Sequence, residues 1–180
     1  MNRQPAFAVW ITGLPASGKS TVAAALASKL SDLDIDAVVL ESDALRKMFS
    51  SQAAYSQLDR EYFYSSLAFI GQVLTEHGVT VIFDATANRR AYRDYARRQI
   101  PRFIEVFVDC PLDICIRRDP KGIYRHAREG HASDVPGLQT EYEPPEEPDV
   151  VIRGDQDEPE QAIHRILDVL AGRDFLKRPG

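Results

Sequence analysis

A nine-residue segment near the start of the chain constrains the fold more than any other feature. Residues 13–21 read Gly-Leu-Pro-Ala-Ser-Gly-Lys-Ser-Thr, which matches the pattern GxxxxGK[ST] between a predicted strand and a predicted helix. Gly13 and Gly18 allow main-chain N–H groups to turn inward around an anion, and the positive end of the following helix points at the same place. The segment therefore predicts a loop that binds the phosphates of a nucleoside triphosphate.

The chemistry of that loop suggests a role for its polar groups. Lys19 is expected to neutralise the β- and γ-phosphates, and Ser20 is expected to place its hydroxyl on Mg²⁺, so ATP and Mg²⁺ are the expected cofactors. The predicted phosphate-binding set is Gly13, Ala16, Ser17, Gly18, Lys19, Ser20 and Thr21. The alternative is a glycine turn before an ordinary helix, with no role in binding phosphate. The motif predicts nucleotide binding rather than one reaction, because kinases, GTPases and ATPases share it.

Length and composition exclude several classes of protein. A chain of 180 residues, with 44% hydrophobic and 27% charged residues, suits one globular domain over residues 1–180. A net charge of −5 argues against nucleic acid as a partner. The two cysteines have neither disulfide-framework nor zinc-site spacing. The N-terminus does not resemble a signal peptide and no apolar run reaches about 18 residues, so a cytoplasmic location without membrane association is expected.

Short apolar runs alternate with segments of helical period, which predicts an α/β fold with a parallel sheet. The predicted strands are Ala6–Thr12, Asp36–Glu41, Val79–Asp84, Phe103–Asp109 and Val150–Arg153; the predicted helices are Lys19–Leu30, Leu58–Glu76, Arg90–Gln99, Leu112–Arg117, Lys121–Gly130 and Glu160–Ala171. We therefore expect the three-layer P-loop NTPase fold, a five-stranded parallel sheet with helices on both faces. Residues 121–148, which end in a stretch rich in Gly, Pro and Glu, are expected to form a lid.

Polar residues just past the second and third predicted strands are candidates for an acceptor pocket. The chain has no guanine-specifying NKxD and is short for a large ATPase, so a small-molecule kinase is expected. Asp43 and Arg46 are three residues apart, which on a first helical turn puts a carboxylate and a guanidinium on one face. Asp84 ends the third strand and could meet Mg²⁺ or the acceptor. The alternative is that these residues cap helices or merely end a strand.

Arginines are concentrated between the third and fourth predicted strands. Six fall within fourteen residues: Arg89, Arg90, Arg93, Arg97, Arg98 and Arg102. Arg89 and Arg90 could clamp a phosphate, and the group could attract a small anion. The alternative is a solvated arginine-rich helix face.

Several further segments, in order along the chain, resemble one family. They are the loop at 13–21, Glu41–Arg46, Asp59-Arg60, Phe103–Asp109, Arg118-Asp119-Pro120-Lys121-Gly122-Ile123-Tyr124 and Tyr142-Glu143-Pro144-Pro145-Glu146-Glu147-Pro148. Together they resemble adenylyl-sulfate kinase. The resemblance implies ATP-dependent phosphorylation of the ribose 3′-hydroxyl of adenylyl sulfate, a nucleotide substrate, with Mg²⁺, a lid over both nucleotides and a homodimer.

The resemblance also implies roles for individual residues. Asp43 and Arg46 match the family's DGDNxR segment beside the acceptor hydroxyl, and Lys19, Asp43 and Arg46 are the expected catalytic set. Arg118 matches the arginine near the donor adenine. The expected acceptor-binding residues are Asp43, Arg46, Tyr55, Arg60, Asp84 and Lys121.

Three departures from the family pattern fall on the acceptor side. Phe63, Ala87 and Val135 stand where the family has an asparagine, a serine and a lid phenylalanine. Losing a stacking platform and an amide donor would weaken recognition of adenine by roughly 1–3 kcal/mol each. Two alternatives follow: the same phosphoryl transfer to another acceptor, such as a cytidine diphosphoramidate-like nucleotide or a sugar, and a non-catalytic nucleotide-binding regulatory module.

Overall fold

Five parallel strands carry the site. A computed structural model describes residues 5–49 and 57–176. The strands lie in the order β2-β3-β1-β4-β5, and every neighbouring pair is parallel, which confirms the predicted five-stranded parallel sheet. Their bounds are β1 (Ala8–Thr12), β2 (Ala37–Glu41), β3 (Thr80–Asp84), β4 (Phe103–Asp109) and β5 (Val150–Arg153).

Seven helices accompany the strands in the described part of the chain: α1 (Lys19–Ser31), α2 (Ser42–Phe49), α3 (Gln57–Glu76), α4 (Arg90–Gln99), α5 (Leu112–Arg118), α6 (Ile123–Arg128) and α7 (Pro159–Gly172). The helix expected over residues 121–130 is confirmed as the shorter α6. It begins late because Gly122 is left-handed (φ 67°) and Asp119 Oδ2 accepts a hydrogen bond from the Arg125 main-chain N–H. None of these helices is long and apolar enough to cross a membrane.

The two faces of the sheet are buried by different helices. Val9 and Ile11 pack against α1 and α7, whereas Ala8 and Trp10 pack against α3 and α4. This alternation is the period-two pattern of a strand covered on both sides. Each fully buried large apolar side chain contributes about 1.5–3 kcal/mol. The three-layer α/β architecture predicted from the sequence is confirmed.

The strand order sets the position of the site. The chain leaves β1 toward β2 and β3 on one side and later reaches β4 and β5 on the other, so the order reverses at β1. In open parallel sheets, ligands bind in the crevice at the carboxyl ends of the strands where the order reverses. The carboxyl end of β1 leads directly into the loop at residues 13–18.

Residues 129–149 contain no helix or strand apart from one isolated bridge between Pro136 and Thr140. Part of this segment still has a core of its own, because Val135 is buried in a small apolar cluster with Tyr124 and Ala127 of α6 and with Cys110 and Cys115. The cluster attaches the predicted lid segment, of which α6 is part, to α5.

Three of the six clustered arginines form ion pairs within the protein, whereas Arg98 is exposed, as the solvated-face interpretation expects. Arg93 is only 1% exposed and its Nε lies 2.6 Å from Glu105 Oε1. Arg97 donates to Asp149 at 2.8 Å. Arg90 pairs with Glu143 and Glu146, so two carboxylates lie where a phosphate was expected to bind. The partner carboxylates come from β4 and from the loop that precedes β5, a convergence that sequence spacing does not reveal.

Candidate active site

The loop between β1 and α1 has the conformation that its glycines predict. Gly13, Ala16 and Gly18 all have positive φ (149°, 61° and 110°). A Cβ on Gly13 would lie 2.5 Å from the Val108 carbonyl oxygen of β4, so no side chain fits there. Positive φ is unfavourable for an alanine, and such strain is typical of sites that bind ligands. The loop therefore curls tightly over the end of the sheet.

Lys19 is held at the base of that loop. Its Nζ donates a hydrogen bond to the Leu14 carbonyl oxygen at 2.8 Å, and the residue is only 8% exposed. Burial lowers the pKa of Lys19, and the negative charges of Asp84 and Asp43 act in the opposite direction. A buried ammonium beside two carboxylates is stabilised further by an anionic ligand.

Two serines of the loop also suit a bound triphosphate. The Ser17 hydroxyl is fully buried and has no hydrogen-bond partner in the described part of the chain. Such an orphaned donor is rare unless a ligand or water satisfies it. Ser20 is exposed on the cavity wall. Mg²⁺ is usually held by one or two protein oxygens together with substrate phosphates, and the oxygens of Ser20 and Asp84 on the cavity wall are donors of that kind.

A cavity of about 490 Å³ opens over the loop. Its volume lies within the range that small-molecule sites occupy. The cavity has two ends, one between β5 and α7 and the other at the start of α2, and the loop crosses between them. Its lining includes residues 15–22, Glu41, Ser42, Asp43, Asp84, Thr86, Arg118, Asp119, Lys121, Gly154, Asp157 and Ala162. The predicted residues Ala16 to Thr21, Asp43, Asp84, Arg118 and Lys121 are thus all brought together.

The end near β5 contains Arg118. Its Nη1 donates to the Gly154 carbonyl oxygen at 2.8 Å. A Cβ on Gly154 would lie 2.4 Å from the Ser17 carbonyl oxygen, so β5 approaches the loop through a glycine. Gly154, Asp157 and Ala162 were not predicted from the sequence as site residues. The available signal was the position of Gly154 directly after a predicted strand, similar to the signal that identified Asp43 and Asp84. Asp157 and Ala162 lie farther along the chain and carried no such signal.

The opposite end contains a pair of opposite charges. Lys121 Nζ donates to Asp43 Oδ2 at 2.8 Å, and both side chains are more than half exposed. The hydrogen bond to Asp43 raises the pKa of Lys121, while partial burial opposes that effect. Asp84 is buried at the end of β3, in register with Glu41 of β2. The cavity lining here therefore presents three carboxylates and the ammonium groups of Lys19 and Lys121.

Arg46 and Arg60 are outside the lining of the cavity. The Arg46 guanidinium lies 4.1 Å from the centroid of the Phe63 ring, which is a cation–π contact. Arg60 is buried and donates to the Asp134 carbonyl oxygen at 2.7 Å and to Asn88 Oδ1 at 3.4 Å. Their role toward an acceptor stays a prediction, and Tyr55 lies outside the described residues.

The other divergent positions are also buried. Ala87 has φ 41°, its main-chain N–H donates to the Tyr64 hydroxyl at 3.1 Å, and its carbonyl oxygen accepts from Arg93. Val135 is 5% exposed, in the apolar cluster described above. Phe63 supports Arg46 rather than lining the cavity. In this conformation the three divergent residues serve packing.

Two tyrosines that were not predicted as site residues connect residues 121–148 to the phosphate loop. The Tyr124 hydroxyl donates to the Pro15 carbonyl oxygen at 3.0 Å. The Tyr142 hydroxyl lies 3.0 Å from Thr12 Oγ1, which donates to the Thr86 carbonyl oxygen at 2.6 Å. Burial raises the pKa of Tyr142 to about 12, so its hydroxyl keeps its proton at neutral pH. The sequence could have identified them, because each lies within one of the segments that carry the family resemblance.

Comparison with known proteins agrees with this geometry. A family model described as adenylylsulphate kinase matches residues 5–153. The chain belongs to the adenylylsulphate kinase family. The match spans β1 to β5, and so includes the loop, the arginines Arg46 and Arg60 and the segment between α6 and β5.

Family members resemble this chain over nearly its whole length. The adenylyl-sulfate kinase of Synechococcus sp. (strain JA-3-3Ab) is 38% identical over 169 residues, which are 94% of this chain and 96% of that protein. That of Gloeothece citriformis (strain PCC 7424) is 37% identical over 175 residues, 97% and 99% of the two chains. The solved APS kinase of Mycobacterium tuberculosis in complex with AMPPNP and APS has a TM-score of 0.86 at 33% identity, covering 93% of this chain and 98% of that one.

Proposed function

We propose that this chain is an ATP-dependent kinase that phosphorylates the ribose 3′-hydroxyl of adenylyl sulfate (APS), giving 3′-phosphoadenylyl sulfate and ADP. One observation carries the proposal: the cavity joins a complete phosphate loop to an opening lined by Asp43, Asp84 and Lys121. Relatives named adenylyl-sulfate kinase match almost the full chain, and the similar solved structure holds AMPPNP and APS together.

The transfer needs positioning and charge stabilisation more than covalent participation by the protein. The 3′-oxygen of the acceptor forms a bond to the γ-phosphorus, and the bond from that phosphorus to the β–γ bridging oxygen breaks. Lys19 and the main-chain N–H groups of residues 13–19 stabilise the charge on the phosphates. Asp43 orients the hydroxyl and accepts its proton, and the Lys121 ammonium holds that carboxylate at the opening. Ser20, with Asp84 nearby, would hold Mg²⁺, which would further neutralise the charge on the phosphates.

The residue assignments form part of this proposal. The donor set is Gly13, Ala16, Ser17, Gly18, Lys19, Ser20, Thr21 and Arg118, and the acceptor set is Asp43, Arg46, Tyr55, Arg60, Asp84 and Lys121. Residues 121–148 act as the lid within a single domain, residues 1–180. The hydrogen bonds of Tyr124 and Tyr142 to the phosphate loop and to Thr12 support a lid that is coupled to the nucleotide.

Assembly and location extend the same proposal. We propose a homodimer in the cytoplasm. The family resemblance supports the dimer, and the acidic, nucleotide-binding character of the chain suits a compartment that contains ATP. Fractionation of cells that express the tagged full chain tests the location, and a protein recovered with membranes or outside the cell would contradict it.

The two alternatives considered above are not favoured. A different acceptor was suggested by Phe63, Ala87 and Val135, but whole-chain similarity at 38% identity is to adenylyl-sulfate kinases. A non-catalytic nucleotide-binding module is not favoured because Lys19, Ser20 and Asp43 all line the cavity.

A coupled assay of ADP release tests the proposal. With MgATP, we expect APS to accelerate ADP release far above the basal rate and cytidine diphosphate-linked acceptors to have no effect. Lys19→Ala is expected to abolish the acceleration. Lys29→Ala is the matched control, because Lys29 is an exposed lysine of the same helix whose described partner is Asp32. ADP release that is the same with and without APS would overturn the proposal.

A further inference from the structure

The loop between β5 and α7 forms one wall of the cavity at the end away from Asp43, which we call the donor end. Residues 154–158 make up this loop, and Gly154 and Asp157 line the cavity. A triphosphate held by the phosphate loop with its γ-phosphate toward Asp43 extends its base to the donor end. The rest of that end suits a planar base, because its lining is largely apolar and includes Val22, Val108, Ile152, Pro159 and Ala162.

Hydrogen bonds fix the conformation of this loop at both of its ends. The Asp157 main-chain N–H donates to the Arg153 carbonyl oxygen at 2.8 Å, and Asp157 Oδ2 accepts from the Arg153 main-chain N–H at 2.6 Å. The Gly154 main-chain N–H donates to the Asp109 carbonyl oxygen at 2.7 Å. The Asp157 side chain is only 12% exposed. The Asp157 carboxylate is therefore a fixed part of the wall.

Arg165 of α7 holds that carboxylate although it is outside the lining of the cavity. Its Nη1 and Nη2 donate to Asp157 Oδ2 and Oδ1 at 2.8 Å each, the bidentate arrangement that fixes both distance and orientation. Nη1 also donates to the Val151 carbonyl oxygen of β5 at 3.1 Å. The hydrogen bonds from Arg165 lower the pKa of Asp157, while burial acts in the opposite direction. One guanidinium thus joins α7, β5 and the loop between them.

We propose that Arg165 is a positioning residue for the donor nucleotide, because it fixes Asp157 and with it the wall against which the base of ATP binds. The inference rests on the proposed function, which supplies ATP as the donor, and deepens it by a residue outside the cavity. An exposed ion pair on its own contributes little to stability. A loop that is already ordered, however, loses less conformational freedom when a ligand binds, so the benefit of this pair falls on nucleotide affinity.

Calorimetric titration of the full chain with AMPPNP and Mg²⁺ tests the inference without any transfer to APS. We expect Arg165→Ala to raise the Kd of AMPPNP at least about tenfold, the effect of losing hydrogen bonds between charged groups. Arg165→Lys keeps the charge and loses the bidentate geometry, so its Kd should lie between those of Arg165→Ala and the wild type. His164→Ala, at the exposed neighbouring position of α7, should keep the wild-type Kd.

Inorganic tripolyphosphate with Mg²⁺ separates the base site from the phosphate loop. It carries the phosphates without a base, so it contacts residues 13–19 and leaves the wall at residues 154–158 unused. Arg165→Ala should leave the Kd of tripolyphosphate within about twofold of the wild type, whereas Lys19→Ala should weaken the binding of both ligands. Equal weakening of AMPPNP and tripolyphosphate by Arg165→Ala would overturn the inference, because the residue would then act on the phosphate loop or on the fold as a whole.

Steady-state kinetics with APS should show the corresponding effect on KM alone. We expect Arg165→Ala to raise KM for ATP about tenfold and to leave kcat and KM for APS unchanged, since the wall contacts the base before and during transfer alike. A fall in kcat at unchanged KM for ATP would contradict the assigned role. Thermal unfolding checks that each variant is folded, and Arg165→Lys keeps the test available if Arg165→Ala is not.

The outcomes distinguish this inference from the proposed activity. An Arg165→Ala variant that binds AMPPNP as tightly as the wild type would overturn the positioning role, even if both proteins phosphorylate APS. Loss of AMPPNP affinity in that variant, with tripolyphosphate binding retained, would support the role even if the wild type failed to phosphorylate APS. That failure would contradict only the proposed function.

Discussion

Lys19 combines a functional charge with a cost to the folded state. Its ammonium is buried, burial lowers its pKa, and compensation comes from the Leu14 carbonyl oxygen and the two nearby carboxylates. Replacing a desolvated active-site residue often raises stability at the expense of function, and a phosphate ligand needs the Lys19 charge. Stability and activity therefore make opposite demands on this residue.

We expect Lys19→Met to raise the free energy of unfolding of the ligand-free protein by about 1 kcal/mol while abolishing kinase activity. Because the pKa of Lys19 is lower in the folded than in the unfolded chain, the unfolded chain binds more protons and the wild type gains stability as pH rises. The difference in the free energy of unfolding between the variant and the wild type should thus narrow as pH rises toward 10.5, the ordinary pKa of a lysine. Urea titrations from neutral to alkaline pH measure it; a variant less stable than the wild type at pH 7 would contradict this account.

Arg93 is a second residue whose charge is committed to the fold. Its guanidinium bonds Glu105 and the carbonyl oxygens of Ala87 and Glu143, so it joins α4, β4 and two loops. Arg93→Ala leaves the buried Glu105 carboxylate short of a partner, although Arg97 lies 3.5 Å from it, and should cost about 3–5 kcal/mol of stability. Arg98→Ala, at an exposed position of the same helix, should cost no more than about 0.5 kcal/mol. Equal losses in the two variants, measured by urea unfolding, would refute the assignment.

At the scale of elements, β5 positions the phosphate loop. Gly154 follows β5 and leaves room for the Ser17 carbonyl oxygen, and its own carbonyl oxygen accepts from Arg118. Gly154→Ala must displace the loop, because the added Cβ would lie 2.4 Å from main chain. We expect kcat/KM for ATP to fall about 10- to 100-fold.

Gly172→Ala is the matched control, since a Cβ there meets nothing within 4 Å. It should leave ATP kinetics unchanged and stabilise α7 slightly. Steady-state kinetics of both variants decide the matter. If Gly154→Ala had wild-type ATP kinetics, β5 would not position the loop as described.

The strands, helices and loops differ in how well the sequence predicts them. The strands and the loop at residues 13–21 were predictable, because apolar runs and glycine spacing are local properties. Helix α2 was not predicted as an element, since its eight residues are fewer than the roughly 10–12 over which a helical period is recognised. The ion pair of Arg93 and the hydrogen bonds of Tyr124 and Tyr142 depend on partners 12 to 130 residues away. A local sequence pattern cannot predict such contacts.

At the scale of the whole molecule, the three-layer packing predicts one cooperative unit. The single tryptophan, Trp10, lies at the centre of the sheet and stacks on Phe83 at 4.5 Å. For a single domain, Trp10 fluorescence and far-UV circular dichroism should report the same urea midpoint. MgATP should raise that midpoint as binding to the folded state requires. Two separated transitions would contradict the single-domain prediction.

The central claim concerns which oxygen of which molecule receives the phosphoryl group. Incubation with MgATP labelled at the γ-phosphorus and with APS, followed by separation of the nucleotides, identifies the product directly. We expect the label to appear in 3′-phosphoadenylyl sulfate in amounts equal to the ADP formed, and to be absent with Lys19→Ala. Label that appears only in inorganic phosphate, or at another position of the acceptor, would contradict the account.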